Sequence, residues 1–282
     1  MDKKTKRSEL LTDNQLKFQS FGVKIGVKAE KSVHLKKVLG ELEKIFPNGI
    51  EKIYDEEVEH QFYIKSKNGG TSELYRDGEK IFESLVGENF YEAVESQIRI
   101  TIAEFAVGKV FLHAGVVGWK DRAIIIPAQS WSGKSTLVAE LVKKGALYYS
   151  DEYAVLDREG NVEPFPKWLS LRGISGEYTQ VDCPVKSLGG VAGTKTLPVG
   201  MVLIARYNKA KKVPQKWKPK RLSGGQGMME ILRHTVPIRN KPKFVLEVLK
   251  KLTTRAIIVK TVRGEAKEFA ETLLNYFEFQ TD

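Results

Sequence analysis

The chain has 282 residues, of which 41% are hydrophobic and 29% charged, an ordinary globular composition that excludes a disordered or fibrous protein. Its net charge is +11, and one cysteine with four scattered histidines excludes both a disulfide framework and a Cys/His zinc site. No apolar run reaches the roughly 18 residues of a membrane span, and the start lacks a signal peptide, so we expect a cytoplasmic protein without a membrane partner.

Residues 1–105 predict a small α+β module. Residues 18–30 alternate in hydrophobicity as a strand does, and residues 33–46 carry an apolar stripe at helical spacing. We expect a hairpin around Asn68-Gly69-Gly70 and a second helix over 91–108. This module would serve substrate selection or assembly.

The chemistry begins after this module, and we place a second domain at 106–282. Residues 109–119 and 122–128 are short apolar runs separated by the turn-like Trp119-Lys120-Asp121, so they predict two paired strands. The second run leads through a small-residue loop into a helix that ends at Gly145. Strand, loop and helix in this order are the context that a phosphate-binding loop requires.

The loop itself matches a phosphate-binding pattern. The P-loop pattern G-x-x-x-x-G-K-[ST] is complete except for its first glycine, which Ala128 replaces. The backbone N–H groups of such a loop surround a phosphate, the lysine bridges the β- and γ-phosphates, and the next hydroxyl binds Mg²⁺. The alternative is a Ser/Gly-rich turn that merely contains these letters. The predicted residues for ATP, or another nucleoside triphosphate, are Ala128, Gln129, Ser130, Trp131, Ser132, Gly133, Lys134, Ser135 and Thr136, with Ser135 also a metal ligand.

An acidic pair follows 17 residues after Lys134. Residues 146–157 predict an apolar strand interrupted by Ser150-Asp151-Glu152, which the helix and a short turn would return to a place beside the P-loop strand. Adjacent acids inside a buried strand are costly unless a cation or partner compensates. Mg²⁺-dependent transfer needs a carboxylate near the metal and a base for a hydroxyl acceptor. We therefore favour a functional role for Asp151 and Glu152 over an exposed strand end.

A histidine, His113, lies in the strand before the loop, 21 residues ahead of Lys134. A lone histidine among apolar residues is more often a hydrogen-bonded core residue than a functional one. The residues alone therefore leave its role open.

Residues 107–175 resemble the HPr kinase/phosphorylase superfamily, P-loop serine kinases similar in core fold to phosphoenolpyruvate carboxykinase. The resemblance implies an α/β fold, with a mixed sheet in a P-loop nucleotide-binding domain that follows the small α+β module. The order and spacing of four motifs carry it: His113-Ala114-Gly115, residues 132–136, Gly145 and Ser150-Asp151-Glu152.

The resemblance also implies roles for residues. Asp151 would take the proton from an acceptor hydroxyl, and His113 would hydrogen-bond near it and tune its pKa. Asp151 and Glu152 would hold Mg²⁺ together with Ser135. The remaining catalytic candidates, Lys134, Arg172 and Arg239, would neutralise the charge of the transferring phosphate. Members of the family tend to form hexamers, so the resemblance also implies a homo-oligomer.

Three departures from the family pattern limit what it implies. The second acid is Glu152 rather than Asp, and the metal-binding E-x-R-G is represented by Ser170-Leu171-Arg172-Gly173, which keeps the arginine without the carboxylate. The later basic loop survives only as Pro237-Ile238-Arg239-Asn240. Phosphorolysis, and HPr itself as the acceptor, therefore lie outside the implied function.

We therefore expect an ATP- and Mg²⁺-dependent kinase that acts on a serine-like hydroxyl of a protein or peptide. The main alternative is a regulatory or scaffold protein that binds a nucleotide without transferring phosphate. Leu222-Ser223-Gly224-Gly225-Gln226 spells the LSGGQ of ABC-transporter ATPases, but the later strand at 255–264 ends in basic residues instead of the Asp-Glu such an ATPase needs. We expect this motif to be a loop that leads into a helix at 227–234.

The charge is concentrated in the second part of the chain. Residues 1–100 carry 17 basic and 18 acidic side chains, so the excess lies beyond them. Residues 206–221 hold eight basic residues and no acid, a run that could bind an acidic partner, phosphate or nucleic acid. We favour a solvated loop, and nucleic acid is disfavoured because no nucleic-acid-binding motif accompanies the run.

Overall fold

A computed structural model describes residues 11–12, 15–46, 49–54, 57–129, 132–172, 180–212 and 217–281. The chain divides into two compact units, Met1–Val107 and Gly108–Asp282. Both are mixed α/β structures. None of the helices in the described residues is long and apolar enough to cross a membrane.

The N-terminal unit contains a seven-stranded sheet, counted over the residues described, in the order β1-β2-β3-β5-β6-β7, with β4 paired to β2. Neighbouring strands are antiparallel except β3 and β5, which are parallel and are connected through the first helix. The strands are β1 (Leu11–Thr12), β2 (Gln15–Ser20), β3 (Val23–Ala29), β4 (Glu51–Lys52), β5 (His60–Ser66), β6 (Thr71–Arg76) and β7 (Glu79–Leu85). The helices are α1 (Ser32–Ile45) and α2 (Glu88–Phe105).

The tight turns of this unit show where the predicted strand and hairpin agree with the structure and where they differ. The expectation of one strand over 18–30 was wrong, because the chain turns at Phe21-Gly22, where φ is 48° and 78°. A turn with two positive φ values matches the twist of a hairpin, so β2 and β3 pair. The hairpin around Asn68-Gly69-Gly70 is confirmed. A second hairpin, unpredicted, turns at Asp77-Gly78, a dipeptide that favours such turns.

Both predicted helices of this unit are present. The apolar stripe of α1 is buried except for Val33, which is 49% exposed near the start of the helix. Helix α2 begins three residues earlier than expected and ends at Phe105, ahead of Gly108. A stripe of apolar residues therefore predicted where helices form better than where they begin and end.

The C-terminal unit contains an eight-stranded sheet, again counted over the described residues, in the order β12-β11-β8-β9-β15-β17-β16, with β10 paired to β8. Strands β9, β15 and β17 are parallel to one another, and the other pairs are antiparallel. The strands of the C-terminal unit, of which β13 and β14 pair with each other in a separate sheet, are β8 (Val110–Trp119), β9 (Arg122–Pro127), β10 (Leu147–Ser150), β11 (Tyr153–Leu156), β12 (Val162–Glu163), β13 (Leu169–Arg172), β14 (Gln180–Cys183), β15 (Val199–Tyr207), β16 (Lys220–Arg221) and β17 (Ile257–Arg263). Its helices are α3 (Lys134–Lys143), α4 (Gly224–Leu232), α5 (Pro242–Arg255) and α6 (Ala266–Thr281).

Two apolar clusters cover the two faces of this sheet. Ile124 and Ile126 of β9 belong to the cluster that contains α3 and α6, whereas Ala123 and Ile125 belong to the cluster that contains α4 and α5. Successive strand residues point to opposite faces, so a strand buried on both faces is apolar throughout. This explains the uninterrupted apolar run of β9, which pairs with β8 as predicted.

The strand that carries the acidic pair differs from the prediction in its position. It is interrupted as expected, with β10 and β11 on either side of Asp151 and Glu152. However, both parts pair with β8 and neither pairs with the P-loop strand β9. The expected place beside β9 is wrong because β8 and β15 already occupy the two sides of that strand.

The LSGGQ motif is confirmed as a helix entry, although the helix begins inside it. Ser223 caps α4 by accepting a hydrogen bond from the backbone N–H of Gln226, whose side chain binds the Ser223 N–H in return. This reciprocal arrangement is a capping box. The motif therefore has a local structural explanation here.

Candidate active site

The loop after β9 leads directly into α3. Gly133 precedes the helix with φ 74°, a left-handed conformation that glycine adopts without strain. Lys134 is the first residue of the helix and is only 7% exposed. The turn therefore places a lysine inside the protein at the end of the sheet where β9 finishes.

Gly115 lets α3 approach strand β8 closely. A Cβ atom at this glycine would lie 2.6 Å from Val138 Cγ2 and 3.1 Å from Lys134 Cγ. Both distances are shorter than ordinary van der Waals contact, so only a residue without a side chain fits beneath the helix. Gly115 thus fixes the path of the Lys134 side chain over the sheet.

Lys134 connects two of the predicted residues. Its Nζ donates to the backbone oxygen of Asp151 at 2.6 Å and lies 3.3 Å from His113 Nε2. A lysine ammonium can only donate, so Nε2 accepts and the neutral ring carries its proton on Nδ1. His113 therefore reaches the Asp151 segment through Lys134, whose Nζ donates to the Asp151 carbonyl.

The carboxylate of Asp151 is 2% exposed and is held by two groups. The Ser170 N–H donates to Oδ2 at 3.0 Å, and the Tyr148 hydroxyl lies 3.1 Å from Oδ1 and 2.7 Å from the Lys167 carbonyl. Burial, and then the charge of Asp151, raise the pKa of Tyr148 well above its ordinary value. Tyr148 therefore stays protonated, and its single proton serves two acceptors, which leaves Asp151 capacity to accept another hydrogen bond.

The other predicted nucleotide and metal residues differ in how far they are buried. Ser130 and Trp131 lie outside the described residues. Ser132 is half-buried, and its Oγ has no hydrogen-bond partner among the described residues. The burial of the rest is as follows: Ala128 is buried, Ser135 and Glu152 are half-buried, and Gln129 and Thr136 are exposed.

No contact among the described residues connects the two predicted arginines with the centre. The backbone of Arg172 pairs with Gln180, and its side chain lies outside the described residues. Arg239 is exposed and follows a short 3₁₀ turn, Val236–Ile238. The described contacts bring the preceding segment to the site instead, because the His113 N–H donates to the His234 carbonyl at 2.8 Å.

His234 is a neighbour that sequence reasoning missed. Burial lowers its pKa, Glu230 opposes this effect, and Lys134 and Arg233 add to it. Its ring is therefore neutral at neutral pH. No motif marked this residue, since its position depends on the single β-bridge between Leu112 and Thr235.

Arg263 is a second residue that the sequence analysis did not assign to the site. It is 4% exposed, and its Nη2 donates to the carbonyl oxygens of Gly133 at 2.9 Å and Ser132 at 3.3 Å. Its Nη1 donates to the Gly264 carbonyl, and its guanidinium lies 5.3 Å from the ring centre of Tyr207. Burial lowers the pKa of Arg263. Arg263 therefore holds the carbonyl groups of Ser132 and Gly133 at the end of the loop.

Lys167 is a third residue near the site that the sequence did not indicate. It is 5% exposed and donates to Ser170 Oγ at 2.8 Å, while that hydroxyl donates to Asp182 Oδ1 at 2.5 Å. In the position where the resembling family has a metal-binding carboxylate, this chain thus has a hydroxyl that links a buried cation to an acid on β14. Asp182 lies opposite Ser170 in the register of β13 and β14, a pairing that local sequence does not reveal.

The buried charge of this unit has one predominant sign. Among the described residues, the charged side chains that are buried are three cations and a single carboxylate, namely Lys134, Lys167, Arg263 and Asp151. Buried charge is costly unless it is compensated. An excess of buried positive charge beside a helix N-terminus suits a bound anion such as a phosphate.

Comparisons with known proteins give limited similarity. No protein-family model matches the chain. No curated protein matches it either. Among solved structures, the chain is similar to the Hpr(Ser) kinase/phosphatase from Coxiella burnetii, with 14% identity and a TM-score of 0.37 over 60% of this chain and 97% of that chain. The function is therefore argued from the site geometry alone.

Proposed function

We propose that the chain is an ATP- and Mg²⁺-dependent kinase that transfers a phosphoryl group to a serine-like hydroxyl of a protein or peptide. The observation that supports this is the convergence of Lys134, His113 and Asp151 at the start of α3. A buried lysine on a phosphate-type loop, 2.6 Å from the backbone of a buried aspartate, joins a phosphate ligand to a candidate base.

The residues present fit a triphosphate and Mg²⁺. Ser135, Asp151 and Glu152 offer the hard oxygen donors that Mg²⁺ prefers, and Ser135 and Glu152 are both half-buried. No group of three or more acidic, histidine or cysteine residues able to hold a metal occurs among the residues that the structure describes. This suits Mg²⁺, which usually binds through one or two carboxylates plus the substrate phosphates and water. When bound, Mg²⁺ would neutralise charge on the phosphate oxygens.

In this proposal, the chain's own residues orient the reactants and move one proton. Lys134 would turn its ammonium to the β- and γ-phosphates, with His113 as its neutral neighbour. Asp151 would accept the proton of the acceptor hydroxyl. The oxygen of that hydroxyl would bond to the γ-phosphorus as the bond to ADP breaks and ADP departs. Arg263 would keep the loop N–H groups directed at the phosphates by binding the carbonyls of Ser132 and Gly133.

The test of this function is phosphotransfer by the Asp151→Asn variant. With γ-labelled ATP and cell extract, wild type should label an acceptor, whereas Asp151→Asn should bind ATP but label it at least about a hundredfold more slowly, since general-base catalysis contributes about that much. Asp157→Asn, in a turn of the same unit, is the matched control and should transfer normally. Undiminished labelling by Asp151→Asn would assign the base to another residue.

A second candidate is a nucleotide-binding regulatory protein that transfers no phosphate. Ser170 favours it, because this hydroxyl stands where the resembling family has a carboxylate and its N–H already occupies Asp151 Oδ2. The same labelling experiment separates the two candidates. Tight ATP binding by wild type with no labelled acceptor in extract would support the regulatory protein.

A further inference from the structure

The start of the basic run, residues 206–212, lies beside the phosphate loop. Strand β15 is parallel to β9, so its last residues reach the same edge of the sheet as the loop. The Asn208 N–H donates to the Arg263 carbonyl at 2.9 Å, and the Arg263 side chain binds the loop carbonyl of Gly133. Only one side chain therefore separates the start of the run from the phosphate loop.

A compact turn presents the lysines of this run. Asn208 Oδ1 accepts from the Ala210 N–H at 3.0 Å, and its carbonyl accepts from the Lys211 N–H at 2.9 Å. The Lys211 carbonyl packs against Gly264, where no Cβ would fit. These contacts hold the turn in place, although its side chains are exposed.

The lysine side chains have no acidic partners among the residues that the structure describes. Lys209, Lys211 and Lys212 are exposed, and in the part of the chain that the structure describes none of them forms an ion pair. By contrast, the nearby Lys260 pairs with Glu230 at 2.6 Å. Three adjacent unpaired cations beside a phosphate-type loop form a positive surface that attracts acidic groups. We call these three residues the lysine turn.

The aromatic residues of the run favour an acidic protein segment over a nucleic acid. Single-stranded nucleic acids bind by stacking bases on available aromatic rings. The Tyr207 ring lies under the guanidinium of Arg263, and its hydroxyl donates to Glu265 at 2.5 Å. Trp217 packs edge-on against Phe269, and its Nε1 donates to Thr261. Both rings have partners within the unit, with Tyr207 38% exposed and Trp217 half-buried, so charge is the main means of recognition.

We propose that the lysine turn binds an acidic segment of the acceptor protein and so delivers its hydroxyl to the phosphate loop. This rests on the proposed kinase function and adds the acceptor's chemical class, a serine flanked by acidic residues. Recognition would be electrostatic, so it should weaken as salt screens the charges. Lys209 follows Asn208, whose N–H binds the Arg263 carbonyl, so a segment bound to the lysine turn would lie next to the reacting phosphate.

The test uses a fluorescent oligoglutamate peptide that contains one serine. Wild type should bind it, and the triple variant Lys209→Gln, Lys211→Gln, Lys212→Gln should bind at least about tenfold more weakly at low salt. Reversing the same charges to Glu should weaken binding further. The control variant Lys186→Gln, Lys195→Gln, Lys250→Gln changes three exposed lysines that form no ion pair with any described residue, and it should bind as wild type does. Both triple variants should retain ATP affinity and melting temperature, which shows that they fold.

Two results would overturn the proposal. Equal peptide affinity in the two triple variants would place the acidic segment elsewhere. Tighter binding of single-stranded DNA of matched charge, lost with the same three lysines, would make the turn a nucleic-acid surface. Failure of the kinase proposal looks different: the peptide would bind through the lysine turn, yet its serine would never be phosphorylated in the presence of Mg²⁺ and ATP.

Discussion

In the N-terminal unit the buried carboxylates face cations, whereas the C-terminal unit buries more cations than carboxylates. Glu73 pairs with Lys67 and Lys80, and Glu95 with Arg99, so the described buried acids of the first unit are neutralised within the chain. In the second unit, Lys134, Lys167 and Arg263 donate to carbonyl and hydroxyl oxygens. Charges that are paired internally stabilise a fold, while charges held by dipoles remain available to a ligand.

This difference assigns separate tasks to the two units. A buried cation that lacks a formal counter-charge costs free energy, and proteins keep such groups where they bind or react. In the C-terminal unit, Arg263 at the end of β17 binds the loop that leads into α3 and Lys134, whereas the ion pairs of the N-terminal unit are distributed over its sheet and helices. We therefore expect substitutions of buried charge to affect ligand binding in the second unit and stability alone in the first.

The largest contrast should come from two arginines, the buried Arg263 and the half-buried Arg99. Arg263→Met removes three hydrogen bonds to carbonyls around the phosphate loop, and we expect at least about a tenfold loss of ATP affinity together with a lower melting temperature. Arg99→Met leaves Glu95 buried without its cation, which costs about 3 kcal/mol of stability. Calorimetric titration with ATP and thermal melts measure both effects. A similar loss of ATP affinity in Arg99→Met would erase the contrast between the units.

Substituting two glycines should change the free energy of unfolding in opposite directions. Gly115→Ala places a methyl group 2.6 Å from Val138 Cγ2 and should cost about 1–3 kcal/mol, while shifting Lys134 and weakening ATP binding. Gly40→Ala, in helix α1 with nothing within 4 Å of the new Cβ, should stabilise the protein by up to about 1 kcal/mol. Chemical denaturation of both variants measures the difference. If Gly115→Ala were as stable as wild type and bound ATP normally, the close packing of α3 on β8 would have no part in the site.

The sequence allowed the centre of the site to be predicted but not its periphery. The loop at Gly133 and Lys134 and the acidic pair at Asp151 are contiguous patterns bounded by a recognisable strand and helix. Arg263 and Lys167 join them through strand order and register, and they bind backbone carbonyls and a hydroxyl, for which no residue pattern exists. The position of β10 and β11 beside β8 was missed for the same reason.

Local conformation set a second limit on the sequence prediction. Phe21 adopts φ 48°, which is uncommon for a residue with a bulky side chain, so nothing in residues 18–30 indicated a turn before Gly22. The Asp77-Gly78 dipeptide is a clear turn signal, but it lies within the segment that was predicted as a single hairpin. The helices were easier, because burial of one face imposes a spacing that the sequence shows directly.

The smallest effect should be the acid response of the N-terminal ion pairs. Lys67, and then Lys80, lower the pKa of Glu73 to about 2. Because the folded pKa is depressed, the contribution is complete above the ordinary value near 4.5 and is lost as pH falls toward 2. Thermal melts between these pH values should show a decline in wild type that is smaller in Glu73→Gln. An identical decline in both proteins would mean that the pair does not control acid stability.

The central claim is that the buried cations of the C-terminal unit form a site for the phosphates of a nucleotide. Its most direct test is the ATP affinity of Lys134→Met, measured by calorimetric titration with and without Mg²⁺, beside Lys144→Met, which removes an exposed lysine at the end of the same helix. We predict that wild type and Lys144→Met bind ATP, more tightly with Mg²⁺, and that Lys134→Met binds at least about tenfold more weakly. Equal affinity in all three proteins, or no binding by wild type, would contradict the account.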